Sequence, residues 1–270
     1  MLNREQQEAV FRGKPIQWNG LTLFPILVSD FIQFSDAKLG LMVAQQTLPV
    51  KYVCMRFLEA LYTMDYDAKQ NGNAEGGGLF LRLMIFLRLA LRLPVLKKED
   101  GREYVELYLA TKPDEPRKLL SIKVKQDEAV AEITPKNFKE LREILAAQNG
   151  ITLPDELANP ELVQAERDIA AHNAPNLKPD FEAWIYSVAV KTGTSPESIY
   201  DWTVRRFGLV DEAITRTTGH LIAALTEASG GKYKDGNPYP SWKYDREEGC
   251  RALISFDALQ SSLSGAVEKR

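Results

Sequence analysis

Tyr104-Val-Glu-Leu-Tyr-Leu109, Leu120-Ser-Ile-Lys-Val-Lys125 and Ala129-Val-Ala-Glu-Ile-Thr134 are three closely spaced runs that decide the fold class. The first alternates Val105, Leu107 and Leu109 with Tyr104, Glu106 and Tyr108. The second alternates Leu120, Ile122 and Val124 with Ser121, Lys123 and Lys125. A period of two is the signature of strands with one buried face. The breaks at Lys112-Pro-Asp-Glu-Pro116 and Gln126-Asp-Glu128 are too short for crossovers, so the spacing predicts a three-stranded antiparallel meander. Such a sheet needs a cover. The spacing offers a helix over 135–148, with Thr134 as N-cap, Pro135 at the first helical position and Phe138, Leu141, Ile144 and Leu145 on one side. Asn149-Gly150 ends it.

Upstream, Lys14 to Trp18, Asn19-Gly20 and Leu21 to Ile26 read as a β-hairpin, because Asn-Gly suits a tight type I′ turn. Ser29 is placed to cap a helix containing Phe31, Ile32 and Phe34. Tyr52 to Met64 reads as one buried helix with Cys54 on its apolar stripe, and Asp65 to Gly78 as a polar, glycine-rich loop. Leu79 to Leu96 is nearly all apolar, interrupted by Arg82, Arg88 and Arg92. At 100° per residue these arginines fall within about 120°, leaving a wide apolar face. Three arginines in a span cost roughly 2.5–3.5 kcal/mol each near a bilayer centre. That argues against a membrane span and for an amphipathic helix facing a core or a partner.

Downstream, Phe181, Trp184, Ile185, Val188 and Ala189 form a helical stripe that Thr192-Gly-Thr194 breaks. Ser195-Pro-Glu197 restarts a second helix, ending at Arg205-Arg206, with Ile199, Trp202 and Thr203 inside. A third runs from about Leu209 to Thr226, aligning Val210, Ile214, Leu221 and Leu225, and Ser229-Gly-Gly231 stops it. Ala252 to Phe256 is a further strand candidate. The fold class is therefore α+β, mainly α: an N-terminal hairpin with apolar helices (1–97), the meander with its helix (98–150), a connector (151–175) and a C-terminal helical unit (176–270).

The 270 residues carry 34 Lys+Arg against 37 Asp+Glu, a net charge of −3, which argues against gripping nucleic acid through overall charge. Two cysteines exclude a disulfide scaffold and fit a reducing, cytoplasmic setting, and no apolar leader run opens the chain. Searches for chemistry fail at named positions. The calcium-loop pattern from Asp65 meets Lys69, Gln70 and Gly76 where a ligand, a glycine and a glutamate belong. Gly76-Gly-Gly78 lacks the lysine and hydroxyl of a nucleotide loop. His172, His220, Cys54 and Cys250 form no dyad legible in sequence. No catalytic residue, metal or cofactor is assigned, and the chain reads as non-enzymatic. A helix-turn-helix reading of 181–206 puts Glu197 and Asp201 where bases would be read.

The run Ile199-Tyr-Asp-Trp-Thr-Val-Arg-Arg-Phe207, then Glu227-Ala-Ser-Gly-Gly-Lys-Tyr-Lys-Asp-Gly236, Trp242 and Leu253-Ile-Ser-Phe-Asp257, resembles tail assembly chaperone-like proteins of long-tailed phages infecting Gram-positive bacteria. The likeness covers roughly residues 181 to 260. It implies a protein of the host cytoplasm that holds a tape-measure or tail-tube protein during tail morphogenesis. The surface expected to do so comprises Arg82, Phe86, Arg88 and Arg92 on the apolar helix, with Arg205, Arg206, Lys232, Lys234 and Trp242 downstream. A nucleic-acid-binding accessory protein and an enzyme are the alternative readings.

Overall fold

In the computed structural model the chain is α+β and mainly helical, with a short N-terminal hairpin, a three-stranded antiparallel sheet and C-terminal helices. The structure describes residues 2–72, 78–97, 103–156, 180–233 and 236–244, with 159, 161, 163, 165, 168, 169 and 172. The chain divides into two compact units, 1–156 with 182–210, and 157–181 with 211–270. This division differs from the four consecutive segments read from sequence. Hairpin and meander share one hydrophobic core, and 182–210 belong to the same unit.

In the first unit, helix α1 (Arg4–Phe11) is capped by Asn3 in a reciprocal box with Gln6. The hairpin β1 (Ile16–Trp18) and β2 (Leu21–Leu23) turns at Asn19 (φ 46°) and Gly20 (φ 81°), the left-handed pair that a type I′ turn requires. Side-chain amides complete its edge. Thr22 N donates to Gln126 Oε1 at 2.7 Å, while Gln126 Nε2 donates to Thr22 O (2.9 Å) and Leu91 O (2.8 Å). Gln148 Nε2 donates to Lys14 O and Leu23 O, and Asn149 Oδ1 accepts from Ile26 N. Three amides thus act as strand partners for a two-stranded ribbon that alone would be marginal.

Ser29 caps nothing. A 3₁₀ turn, Val28–Asp30, precedes α2 (Phe31–Ala37), and Ser29 N donates to Tyr200 O at 3.1 Å. After α3 (Leu39–Met42), the single helix expected over Tyr52–Met64 is two: α4 (Val50–Val53) and α5 (Phe57–Gln70). Gln45 Nε2 takes the carbonyls of Val53 and Met55 and stabilises the break, where Cys54 is exposed rather than buried. Helix α5 also runs through Asp65–Gln70, which the sequence reading assigned to a loop. Helix α6 (Leu79–Leu91) ends earlier than Leu96.

Strand β3 (Leu96–Lys97) pairs with β4 (Glu103–Tyr104), so Tyr104 leaves the meander. The sheet proper is β5 (Leu107–Lys112), β6 (Glu115–Gln126) and β7 (Ala129–Ile133), in that order. Ala110 faces Ser121 and Thr111 faces Leu119, so Leu120 is the extra residue of a bulge. The slip reverses the phase at that end of β6: Leu119 is buried and Leu120, expected inside, is exposed, while Leu109, also expected inside, is exposed although its partner Ile122 is buried. Helix α5 packs on β6, while α7 (Phe138–Gln148), the expected cover, packs on α1 and α5. Helix α7 starts at Phe138 because Thr134 and Asn137 exchange side-chain bonds to each other's amides, holding Pro135 in a turn. Its apolar residues Phe138, Leu141, Ile144 and Leu145 are buried as expected, and Gly150 (φ 68°) ends it.

Helix α8 (Phe181–Thr192) buries Ile185, Val188 and Ala189, and Gly193 (φ 68°) breaks the chain. The second expected helix is a single turn, α9 (Pro196–Ile199), capped by Ser195. Arg205 and Arg206 therefore do not end it. They open α10 (Val204–Ala228), which starts five residues before Leu209. Within the first unit Val204 N donates to Ile26 O, and Phe31, Trp184 and Phe207 pack edge to face. The strand candidate Ala252–Phe256 lies outside the described residues.

Candidate functional site

Helix α6 does not present its apolar face. Phe86, Leu83 and Ala90 are fully buried in the core of the first unit, so Phe86 is corrected from partner surface to core residue. The arginines sit at the rim of that face, each with a local partner. Arg82 Nε bonds Asp36 Oδ1 at 3.0 Å, Arg88 donates to Gln33 Oε1, and Arg92 lies over the Phe24 ring at 4.5 Å.

The N-terminus of α6 is also taken. Asp65, from α5, accepts from Gly78 N (2.8 Å), Phe80 N (3.1 Å) and Leu81 N (3.3 Å). A carboxylate of the chain thus occupies the place where an anionic ligand would meet the positive helix end. Asp67, one of the would-be calcium ligands, instead gathers the Tyr52 hydroxyl (2.9 Å), Arg117 (3.0 Å) and Lys51 (3.2 Å) on Oδ2. Burial pushes its carboxyl up, but the bonds from Tyr52 and Lys51 and the charges of Arg117 and Lys51 outweigh that and hold it below the usual range. Bonding to Tyr52 first, and then to Asp67, raises Lys51 above its ordinary value. Among the described residues no group of three or more His, Cys, Asp or Glu is placed to hold a metal ion, and no helix is long and apolar enough to cross a membrane.

Arg142 on α7 is a buried cation. Its Nε and Nη2 donate to Leu41 O (2.9 and 2.6 Å), Nη2 also to Val43 O (2.8 Å), and its guanidinium lies 3.9 Å from the Phe57 ring. Burial lowers it to about 10, against the opposing pull of Glu156, so it remains charged at neutral pH. Its bonds tie the end of α3 to α7, a structural task.

Comparison with family models, curated proteins and solved structures finds no match.

The described surface with the strongest binding character lies in the second unit, on Asp211–Ala228 of α10. Ala213, Thr217, Leu221, Ala224, Leu225 and Ala228 are all exposed. At 100° per residue they fall within an arc of about 120° that holds no charged residue. Leu221 is 59% and Leu225 68% exposed, and Ile222 beside them is 58% exposed. The opposite side of the helix is covered by the unit's own turn. His220 Nδ1 meets Tyr239 O at 2.9 Å, Arg216 Nη1 donates to Lys243 O at 3.3 Å, and Asn237 donates to Glu227. Gly219 makes this approach feasible, since a Cβ there would come within 2.6 Å of the Tyr239 ring.

Of the downstream residues picked from sequence, Lys232 and Trp242 are exposed in this unit, with Lys243 Nζ over the Trp242 ring. Lys234 lies outside the described residues. In the first unit, Arg205 packs against Gly150, and Arg206 stacks on Trp202 at 4.2 Å. The sequence aligns Leu221 and Leu225, while the expected partner surface takes residues of α6 with Arg205, Arg206, Lys232, Lys234 and Trp242. The overlooked signal was the small and apolar run at 213, 217, 221, 224 and 228, a stripe with no large core residue to oppose it.

Proposed function

We propose that this chain is a non-catalytic tail assembly protein of a long-tailed phage, which holds the tape-measure or tail-tube protein in the host cytoplasm during tail morphogenesis. The observation that carries the binding role is the uncharged, exposed arc of Asp211–Ala228, opposite a face already occupied by residues 237–243. Contiguous apolar patches on a surface mark interaction sites more often than isolated exposed leucines do. A stripe at helical spacing is suited to the apolar side of a partner helix. The assembly role itself rests on the resemblance carried by 199–207, 227–236 and 242.

Co-expression with the tape-measure protein of the same phage tests this reading. The expected result is co-elution in size exclusion and a larger soluble fraction of the tape-measure protein. Separate elution with no gain in solubility would overturn it.

A further inference from the structure

The end of α6 closes a cleft of about 380 Å³ whose apolar walls include Leu27, Leu89 and Leu93, and whose charged lining is Asp30, Arg88 and Arg92. Its volume falls in the range of small-ligand sites. All of these residues belong to the first unit.

The three arginines of α6 are neutralised unequally. Arg82 has a carboxylate, Asp36 of α2. Arg88, facing the same helix, meets the neutral amide of Gln33, and Arg92 lies on the Phe24 ring with no ion pair among the described residues. Neither forms an ion pair with Asp30, although all three line one cleft. The helix dipole accounts for basic residues near the C-terminus of α6. It does not account for the backbone at Arg92, which closes the helix in the left-handed region (φ 50°, ψ 39°) with Leu93 N bonding back to Arg88 O. Glycine is the favoured residue at such a closing position. An arginine there sets its guanidinium at the cleft, fixed by the aromatic face beneath it, at the expense of local backbone comfort. Two guanidinium groups one turn apart, with apolar walls between them and neither ion-paired to a carboxylate among the described residues, form a receptor for a planar anion. Asp30 at the same cleft repels a multiply charged anion more than a single carboxylate.

We propose that this cleft binds a peptide carrying a side-chain carboxylate next to an apolar residue, the carboxylate on Arg88 and Arg92 and the apolar side chain on Leu27, Leu89 and Leu93. The inference does not depend on the tail-assembly reading.

The test is calorimetric titration of the full chain with N-acetyl-leucyl-glutamyl amide, N-acetyl-leucyl-glutaminyl amide and inorganic phosphate. The glutamyl peptide is expected to bind saturably, at least about tenfold tighter than the glutaminyl peptide and tighter than phosphate. Arg88→Gln and Arg92→Gly are each expected to weaken it by about tenfold or more. Arg92→Gly places glycine where the backbone favours it, so circular dichroism should show it folded as well as the parent. Asp30→Asn should tighten binding severalfold by removing a like charge. No saturable binding, equal binding of the two peptides, tighter binding of phosphate, or a folded Arg92→Gly variant of unchanged affinity would overturn the proposal.

Discussion

Replacing Asp65 by alanine removes a buried carboxylate that holds the first turn of α6 from a neighbouring helix. Three amides lose their acceptor together: Gly78 at 2.8 Å, Phe80 at 3.1 Å and Leu81 at 3.3 Å. Loss of an N-cap acceptor costs about 1–2 kcal/mol. Loss of a negative charge at a partly buried helix N-terminus adds up to about 2 kcal/mol. Asp65 is only 5% exposed, so water replaces it poorly. The expected destabilisation is about 3 kcal/mol for Asp65→Ala. Asp65→Asn keeps one acceptor oxygen without the charge and should cost about half as much. Urea unfolding followed by far-UV circular dichroism reads this directly. With a slope of about 2 kcal/mol per molar urea, the transition of the first unit should fall by about 1.5 M for alanine. An alanine variant within about 0.5 kcal/mol of the parent, or an asparagine variant as damaged as alanine, would refute the view that a charged cap organises α6.

Other substitutions probe the same core. Gly40→Ala would place a Cβ 2.6 Å from Leu83 N and 2.8 Å from Leu79 O, both rigid backbone, and should cost about 2–3 kcal/mol in the same assay. Gly208→Ala, in α10 with no atom within 4 Å of the new Cβ, should instead raise stability by about 0.5–1 kcal/mol. Arg142→Leu strands the carbonyls of Leu41 and Val43 and should lower the urea midpoint by an amount equivalent to about 2–4 kcal/mol. Because Asp67 is held below the ordinary aspartate range, its contribution is complete above the unfolded-state value and is lost as pH falls through the lower folded value. Stability measured from neutral pH down into that acid window should therefore drop less steeply for Asp67→Asn than for the parent.

Much of the fold was legible because local chemistry and burial agreed. Asn19-Gly20 specifies its turn whatever lies around it, and Phe138, Leu141, Ile144 and Leu145 keep a helical period that burial then respects. The differences arise where a specific partner, distant or local, overrides the simple period. Asp65 and Asp67 make 65–70 look like a loop until their acceptors are matched to α6, Tyr52, Lys51 and Arg117. Leu120 obeys the strand period, yet a bulge between Ala110 and Thr111 turns it outward. Thr134 and Asn137 cap one another instead of the helix. Phe86, expected at a partner surface, differs for the reverse reason. The strongest apolar stripe, on α6, was strong because it belonged to the core, and a weaker stripe of alanine, threonine and leucine on α10 remained at the surface. Hydropathy ranks helices by how much they bury, without saying whether the chain or a partner does the burying.

We propose the exposed arc of Asp211–Ala228 as the protein-contact surface. Leu221→Asp combined with Leu225→Asp tests it most directly, since both side chains are mostly exposed and the changes should alter stability by less than about 0.5 kcal/mol each. Co-purification of the tape-measure protein with parent and variant is the measurement. The expected result is a folded variant that no longer retains the tape-measure protein. Retention equal to the parent by a folded variant would contradict it.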